Sequence, residues 1–268
     1  MGSRPDRAPL TSAKMLLVVD VGNTQTHLGA FGGGELREHW RFQTRAGMTG
    51  DEIAVRITGL LSMSGIAGDE IDALTVASVV PPLGNEYEAM ARRYFDAPCL
   101  AVGPGVKTGM AIRIDNPYEV GADRLVNAVA AYERIAAACV VVDFGTGINF
   151  DAVSADGEYL GGAIAPGVEI SLTALTQRGA RIPRIDLDEP EAAIGKSTRG
   201  AIQSGVIFGF AGLIDSVAGR IARELGGEPT IIATGGLANA IAPFCETIDE
   251  VDDLLTLTGL RLIWERNS

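Results

Sequence analysis

Two short strings carry the residues best suited to chemistry, Asp20-Val21-Gly22-Asn23-Thr24 and Asp143-Phe144-Gly145-Thr146. Each follows an apolar run, Leu16 to Val19 in the first case and Cys139 to Val142 in the second. Glycine in such a turn lets backbone N–H groups converge on an anion with no side chain in the way. Threonine and asparagine add neutral donors. An aspartate at the strand end offers oxygen to a hydrated Mg2+ or another hard cation, which neutralises a polyphosphate. Taken alone, Asp20 reads as a turn residue closing a hairpin. The same event occurring twice points to a clamp for the phosphates of ATP. A third string, Thr234-Gly235-Gly236 after Ile231-Ile232-Ala233, places a glycine pair where an adenine or ribose can approach the backbone. Neither a Walker A loop nor a protein-kinase signature set is present in the sequence.

The elements around these loops follow from periodicity. Strands are expected at 16–19, 28–31 and 36–42, a helix at 51–63 from Ile53, Ile57, Leu60 and Leu61, a strand at 73–79, a proline-led helix at 82–94 and a strand at 98–102. The second half should begin with a helix from Gly121 to Ile135, with Asp123 and Arg124 in its first turn. A strand from Cys139 to Asp143 and a hairpin turning at Asp156-Gly157 come next. Helices are expected at 166–177 and 198–225, a strand at 230–233, and helices from 237 and at 257–265. A half-length unit of strand, acidic glycine loop, hairpin and helices therefore repeats.

With 47% hydrophobic and 21% charged residues, the chain belongs with globular proteins rather than disordered ones. Its 22 Lys+Arg against 34 Asp+Glu, a formal charge of −12, argue against a nucleic-acid surface, which needs clustered cations. Phosphate must then be bound by backbone amides and a metal. Cys99, Cys139 and Cys245 form an odd, widely spaced set without a Cys-x-x-Cys, which fits a reduced compartment and packing roles. The polar opening, 1–14, lacks the apolar centre of a signal peptide and reads as a disordered extension. With no long apolar run evident, the protein is expected in the cytoplasm, away from membranes. His27 and His39 have no partner at metal spacing, and Trp40 and Trp264 read as packing aromatics.

The ordered triplet of loops resembles the phosphate and adenosine motifs of the acetate and sugar kinase, Hsp70 and actin superfamily. Asn116-Pro117-Tyr118-Glu119-Val120-Gly121-Ala122-Asp123-Arg124 further resembles the Asn-Pro-x-x-[Val/Leu]-Gly-x-Asp-Arg motif of type III pantothenate kinases. The likeness continues through Tyr159 to Gly167, Ile194 to Thr198, Gln203-Ser204-Gly205, Ala233 to Ala238 and Leu257 to Ile263. The implied fold is α/β, two ribonuclease-H-like (actin-like ATPase) halves, 15–118 and 119–268, with a mixed sheet in each and an ATP cleft between them. The implied reaction is ATP-dependent phosphorylation of pantothenate, the first step towards coenzyme A, by a homodimer using Mg2+ and K+ or NH4+.

Residue by residue, the resemblance makes Asp123 the catalytic base and gives substrate contacts to Gly121, Ala122, Asp123, Arg124 and Gly179. Asp20 positions the Mg2+-bound phosphates with Gly22, Asn23 and Thr24, and Gly145 and Thr146 face the phosphates from the second loop. Asp143 ligates the monovalent cation, while Gly235 and Gly236 face adenosine. Without the surrounding motif, Asp123 and Arg124 read as residues of a helix cap. Asp151 divides evenly between a residue supporting the site and a solvated strand residue. The sequence departs from many relatives at Gly147, at Ile114 and around Gly179. Competing readings are a non-catalytic nucleotide-binding regulator and a kinase of another small alcohol.

Overall fold

The computed structural model describes residues 15–178 and 187–268, so the expected extension at 1–14 lies outside the described residues. The chain divides into two compact units after Val102. In the first, β1 (Met15–Val21), β2 (Gln25–Gly32) and β3 (Glu35–Gln43) form an antiparallel meander. Helix α1 (Gly50–Met63) then leads to β4 (Ile71–Ser78), which pairs parallel to β1. Helix α2 (Pro81–Met90) continues into a π-helical turn, Ala91–Phe95, before β5 (Cys99–Ala101). The resulting five-stranded order is β3-β2-β1-β4-β5.

Local chemistry explains these bounds. Thr49 caps α1 by accepting from the Glu52 backbone N–H, while the Glu52 carboxylate accepts from the Thr49 N–H, a reciprocal capping box. Ile53, Ile57 and Leu61 are buried with Leu17, Val19, Leu28 and Leu74. Each such aliphatic side chain contributes about 2 kcal/mol of burial. The doubly buried strand β1 reads as a continuous apolar run, whereas edge strand β3 alternates between half-buried and exposed residues.

The second unit comprises β6 (Ala111–Ile112), α3 (Ala122–Ile135), β7 (Cys139–Phe144), β8 (Gly147–Val153) and β9 (Glu158–Pro166). It continues with α4 (Val168–Arg178), α5 (Thr198–Leu225), β10 (Thr230–Thr234), α6 (Ala238–Ile241), β11 (Glu250–Val251) and α7 (Leu255–Asn267). The six-stranded order is β11-β10-β7-β8-β9-β6. Strand β7 repeats the placement of β1, with an antiparallel hairpin partner in β8 and a parallel partner in β10. Residues 103–118, which the sequence reading gave to the first half, belong to the second unit, where β6 pairs with β9.

Two elements differ from expectation for local reasons. Helix α6 is only one turn long and passes into a 3-10 turn at Ala242–Phe244, where Pro243 removes a backbone donor. Helix α5 reaches the length and hydropathy of a membrane span, mean hydropathy 1.5, although charged residues and glycines interrupt its apolar run. Val206, Ile207, Ala211 and Ile214 of α5 are buried with Val140, Val142 and Phe150 of the sheet, as in the core helix of a globular unit.

Candidate active site

Asp20 ends β1 opposite His27 of β2 and Ala77 of β4. The turn that follows is closed by the Gly22 N–H donating to the Gln25 carbonyl at 3.1 Å. A Cβ on Gly22 would lie 2.9 Å from that same oxygen, so the tight turn admits only glycine without a shift. Asn23 and Thr24 stand exposed at its tip, where their side chains can donate to an anion.

Asp143 occupies the equivalent position in the second unit, opposite Asn149 of β8 and Thr234 of β10. Gly145 and Thr146 are exposed at the tip of this loop. Gly167 packs on its back, donating to the Thr146 carbonyl at 3.2 Å. A Cβ on Gly167 would collide with the Thr146 carbonyl, so the strand end and the loop fit only because a hydrogen is there. Gly147 has a related cause: a Cβ there would approach the Ala165 carbonyl to 3.2 Å. Strand β8 begins at Gly147 and pairs from it with Pro166 of β9.

The third loop meets the second. Gly235 has φ +95°, and a Cβ on it would lie 2.5 Å from Asp143 Oδ1 and 2.7 Å from the Phe144 N. Glycine here permits both the left-handed backbone and the approach of the chain to the carboxylate. Gly236 is exposed, with nothing within 4 Å of where its Cβ would be. Just beyond, a cavity of about 330 Å³ is lined by Ile207 of α5, Asn239 and Ala240 of α6, and Pro243 and Phe244.

Helix α3 brings the motif residues to the same unit. Gly121 is its N-cap and Asp123 lies in its first turn, where the helix N-terminus favours negative charge. A Cβ on Gly121 would lie 2.5 Å from Asp123 Oδ1, so the absence of a side chain at 121 makes room for that carboxylate. One turn on, the buried Asn127 donates from Nδ2 to Asp143 Oδ2 at 3.3 Å, and its own Oδ1 accepts from Thr256 Oγ1 of α7 at 2.7 Å. Helix α7 reaches that close because Gly259 lies against the Val126 carbonyl, which a side chain would strike.

Arg124 turns inward to Asp151 of β8: Nε lies 2.8 Å and Nη2 2.7 Å from Asp151 Oδ1. Tyr159 donates to the same oxygen at 2.7 Å. Asp151 is therefore no solvated strand residue, since it is 0% exposed. Alternation fails at this position because the face of β8 that holds Asp151 is covered by α3.

The electrostatics separate these acids. Burial pushes the Asp143 carboxyl up to about 7, reinforced by the negative charges of Asp123 and Asp151 and opposed by the Asn127 hydrogen bond. Burial likewise pushes Asp151 up to about 6, against the pull of Arg124 and Tyr159. Burial acts to lower the pKa of Arg124, but the charges of Asp151, Tyr159 and Asp123 and the hydrogen bond to Asp151 together raise it. The cationic side chain of this cluster is thus committed to Asp151, and Asp143 is left with acidic neighbours and one amide donor. A half-buried carboxylate in that condition can accept an added cation. Among the described residues no group of three or more His, Cys, Asp or Glu forms a metal cluster.

The structure thus gathers Gly121, Ala122, Asp123, Arg124, Asp143, Gly145, Thr146, Gly235 and Gly236 in the second unit and places Asp20, Gly22, Asn23 and Thr24 in the first. Gly179 lies outside the described residues. Ile114 packs with Ile112 and Val120 against the cluster that contains Tyr159. Sequence reasoning passed over Asn127, Tyr159 and Thr256. Asn127 carried a usable signal, because it follows Asp123 by one helical turn on an otherwise apolar face. Nothing local marks Thr256.

Comparison with known proteins supplies the remaining evidence. The model of a family described as type III pantothenate kinase matches residues 16–220. A type III pantothenate kinase of Anaeromyxobacter sp. (strain Fw109-5) is 52% identical, over 94% of this chain and 100% of the relative. One from Streptomyces avermitilis is also 52% identical, over 94% of this chain and 98% of the relative. Among solved structures, the inorganic polyphosphate/ATP-glucomannokinase of an Arthrobacter sp. superposes with a TM-score of 0.50 at 16% identity, covering 94% of this chain and 98% of that one, a likeness of fold alone.

Proposed function

The chain belongs to the type III pantothenate kinase family, and on that premise we propose that Asp123 is the base of its phosphoryl transfer and Asp143 the seat of a monovalent cation. The protein phosphorylates pantothenate with ATP in coenzyme A biosynthesis. Kinases of this kind work with a divalent metal on the nucleotide.

The reaction asks little covalent chemistry of the protein. The primary hydroxyl oxygen of pantothenate forms a bond to the γ-phosphorus as the bond to the bridging oxygen of ADP breaks, and the hydroxyl proton needs an acceptor. Asp123 takes that proton, its carboxylate standing in the space that Gly121 leaves. Arg124, with Gly121 and Ala122, holds the carboxylate or amide of pantothenate, and Gly179 falls at the position where relatives offer a further substrate contact. Asp20 orients the Mg2+-bound phosphates, with Gly22, Asn23 and Thr24 as donors. Gly145 and Thr146 donate from the second loop, and Gly235 and Gly236 face adenosine, whose flat base suits the cavity walled by Ile207 and Phe244.

K+ or NH4+, when bound, supplies positive charge that no lysine in either loop provides, and Asp143 holds it. The observation that carries this reading is the uncompensated carboxyl of Asp143, raised to about 7 beside Asp123 and Asp151. We further propose that the enzyme works as a cytoplasmic homodimer, and that its halves meet the sequence-based description of two actin-like ATPase modules.

The test is formation of 4′-phosphopantothenate from pantothenate and Mg-ATP in K+, NH4+ or Na+ at constant ionic strength. Product in all three at one rate would remove the cation from the account; ATP binding with no product at any cation would remove the enzyme assignment.

A further inference from the structure

Asp151 has no role in the reading above, yet it is a charged residue sealed completely from solvent. Its Oδ1 accepts a hydrogen bond from Arg124 Nε and one from Tyr159 and lies 2.7 Å from Arg124 Nη2 in an ion pair, while Oδ2 is buried with no hydrogen-bond partner among the described residues. Stability does not account for such an arrangement. A buried ion pair returns little over an apolar replacement of the same shape, and an orphaned carboxylate oxygen adds a further cost. What the arrangement does fix is geometry.

A guanidinium is a rigid plane with five N–H donors. Its Nε–Nη2 edge is committed to Asp151 Oδ1, and its Cζ lies 5.9 Å from the centre of the Tyr159 ring. Both supports come from the sheet, Asp151 on β8 and Tyr159 on β9, while Arg124 projects from the first turn of α3. The plane is therefore set by two strands rather than by the arginine's own flexible stem. The Nη1 end remains for a ligand, and the Arg124 side chain is still 16% exposed.

We propose that Asp151, supported by Tyr159, is a positioning residue that aims the Nη1 end of Arg124 at the carboxylate or amide of pantothenate. The inference rests on the assignment of Arg124 to pantothenate. It adds that Arg124 works as a directed donor whose charge is already partnered, so that its orientation decides affinity. Lysine, with a single point charge and no second edge, cannot satisfy Asp151 and substrate together.

The experiment is steady-state kinetics of the full-length enzyme, with KM for pantothenate and for Mg-ATP measured separately for Asp151→Asn, Tyr159→Phe, Arg124→Ala and the double variant Asp151→Asn/Arg124→Ala. Asp151→Asn should raise the pantothenate KM about tenfold, as loss of one charge-assisted contact implies, with the ATP KM within about twofold. Tyr159→Phe removes only a hydroxyl, is the fallback if Asp151→Asn folds poorly, and should raise the same constant about threefold. In the Arg124→Ala background, Asp151→Asn should add nothing, because residues acting through one another are non-additive. A pantothenate KM unchanged in Asp151→Asn and Tyr159→Phe but raised in Arg124→Ala would overturn the positioning role and leave the substrate assignment standing. An unchanged pantothenate KM in Arg124→Ala would overturn the assignment itself.

Discussion

Asp20 and Asp143 each end an interior strand that has an antiparallel hairpin on one side and a parallel strand on the other. Past each acid the chain turns through a glycine into exposed polar residues. The surroundings differ. In the first unit the turn is closed by its own backbone, Gly22 to Gln25, and the start of α1 is occupied by the Thr49–Glu52 box. In the second, the first turn of α3 brings Asp123, Arg124 and Asn127 to Asp143 and Asp151, and Gly235 closes over the carboxylate. One local device is thus used twice, and what distinguishes the copies is the helix delivered to the second. On the proposal above, that difference goes with phosphate binding at the first loop and with the base and cation at the second.

The largest expected effect falls on the second unit. Asp123→Asn should lower kcat by about 10³-fold, within the range for loss of a general base, with an unchanged melting curve; near-normal turnover would return Asp123 to a helix-cap role. Asp20→Asn should instead act through the nucleotide, raising the KM for Mg-ATP about tenfold while leaving the response to monovalent cations intact. A lost cation response in that variant would blur the division between the loops.

Smaller effects probe the glycine pair of the third loop. Gly235→Ala should cost roughly 2–4 kcal/mol in denaturant unfolding, from the left-handed backbone together with the crowding of Asp143 and Phe144. Gly236→Ala, with open space around it, should stay within about 0.5 kcal/mol of the parent. Equal costs would mean that the approach to Asp143 is not what demands glycine.

A further expected effect, smaller than that of Gly235→Ala, is one of pH. Asp143 is raised to about 7 in the folded chain, so the fold holds its proton more tightly than the unfolded chain does. Its contribution to stability is therefore fully present below the ordinary carboxylate range and is lost as pH rises through about 7. In buffer free of K+ and NH4+, the parent should lose on the order of 1–2 kcal/mol relative to Asp143→Asn between pH 5 and pH 8. A constant difference across that interval would show that Asp143 is not strained by its acidic neighbours.

Much of this was legible in the sequence because it depends on neighbours along the chain. The spans of α5 and α1 and the hairpins after both acidic loops follow from periodicity and turn residues. The helix expected from Gly121 is α3, and the absence of a side chain at Gly121 leaves room for the Asp123 carboxylate. What was not legible depends on elements far apart in sequence. Arg124 reaches Asp151 and Tyr159 across two strands, and Thr256 reaches Asn127 from the last helix. No local pattern distinguishes a buried aspartate on β8 from a solvated one. Strands of two residues, such as β6 and β11, are likewise too short to show a period.

The most direct test of the distinction between the loops is the rate of 4′-phosphopantothenate formation as K+ replaces Na+ at fixed ionic strength, in the parent enzyme and in Asp143→Asn. The parent should be activated about tenfold or more, as expected for charge stabilisation at a phosphoryl-transfer site, and the variant should be indifferent to the exchange. Equal activation of both proteins would contradict the placement of the cation at Asp143.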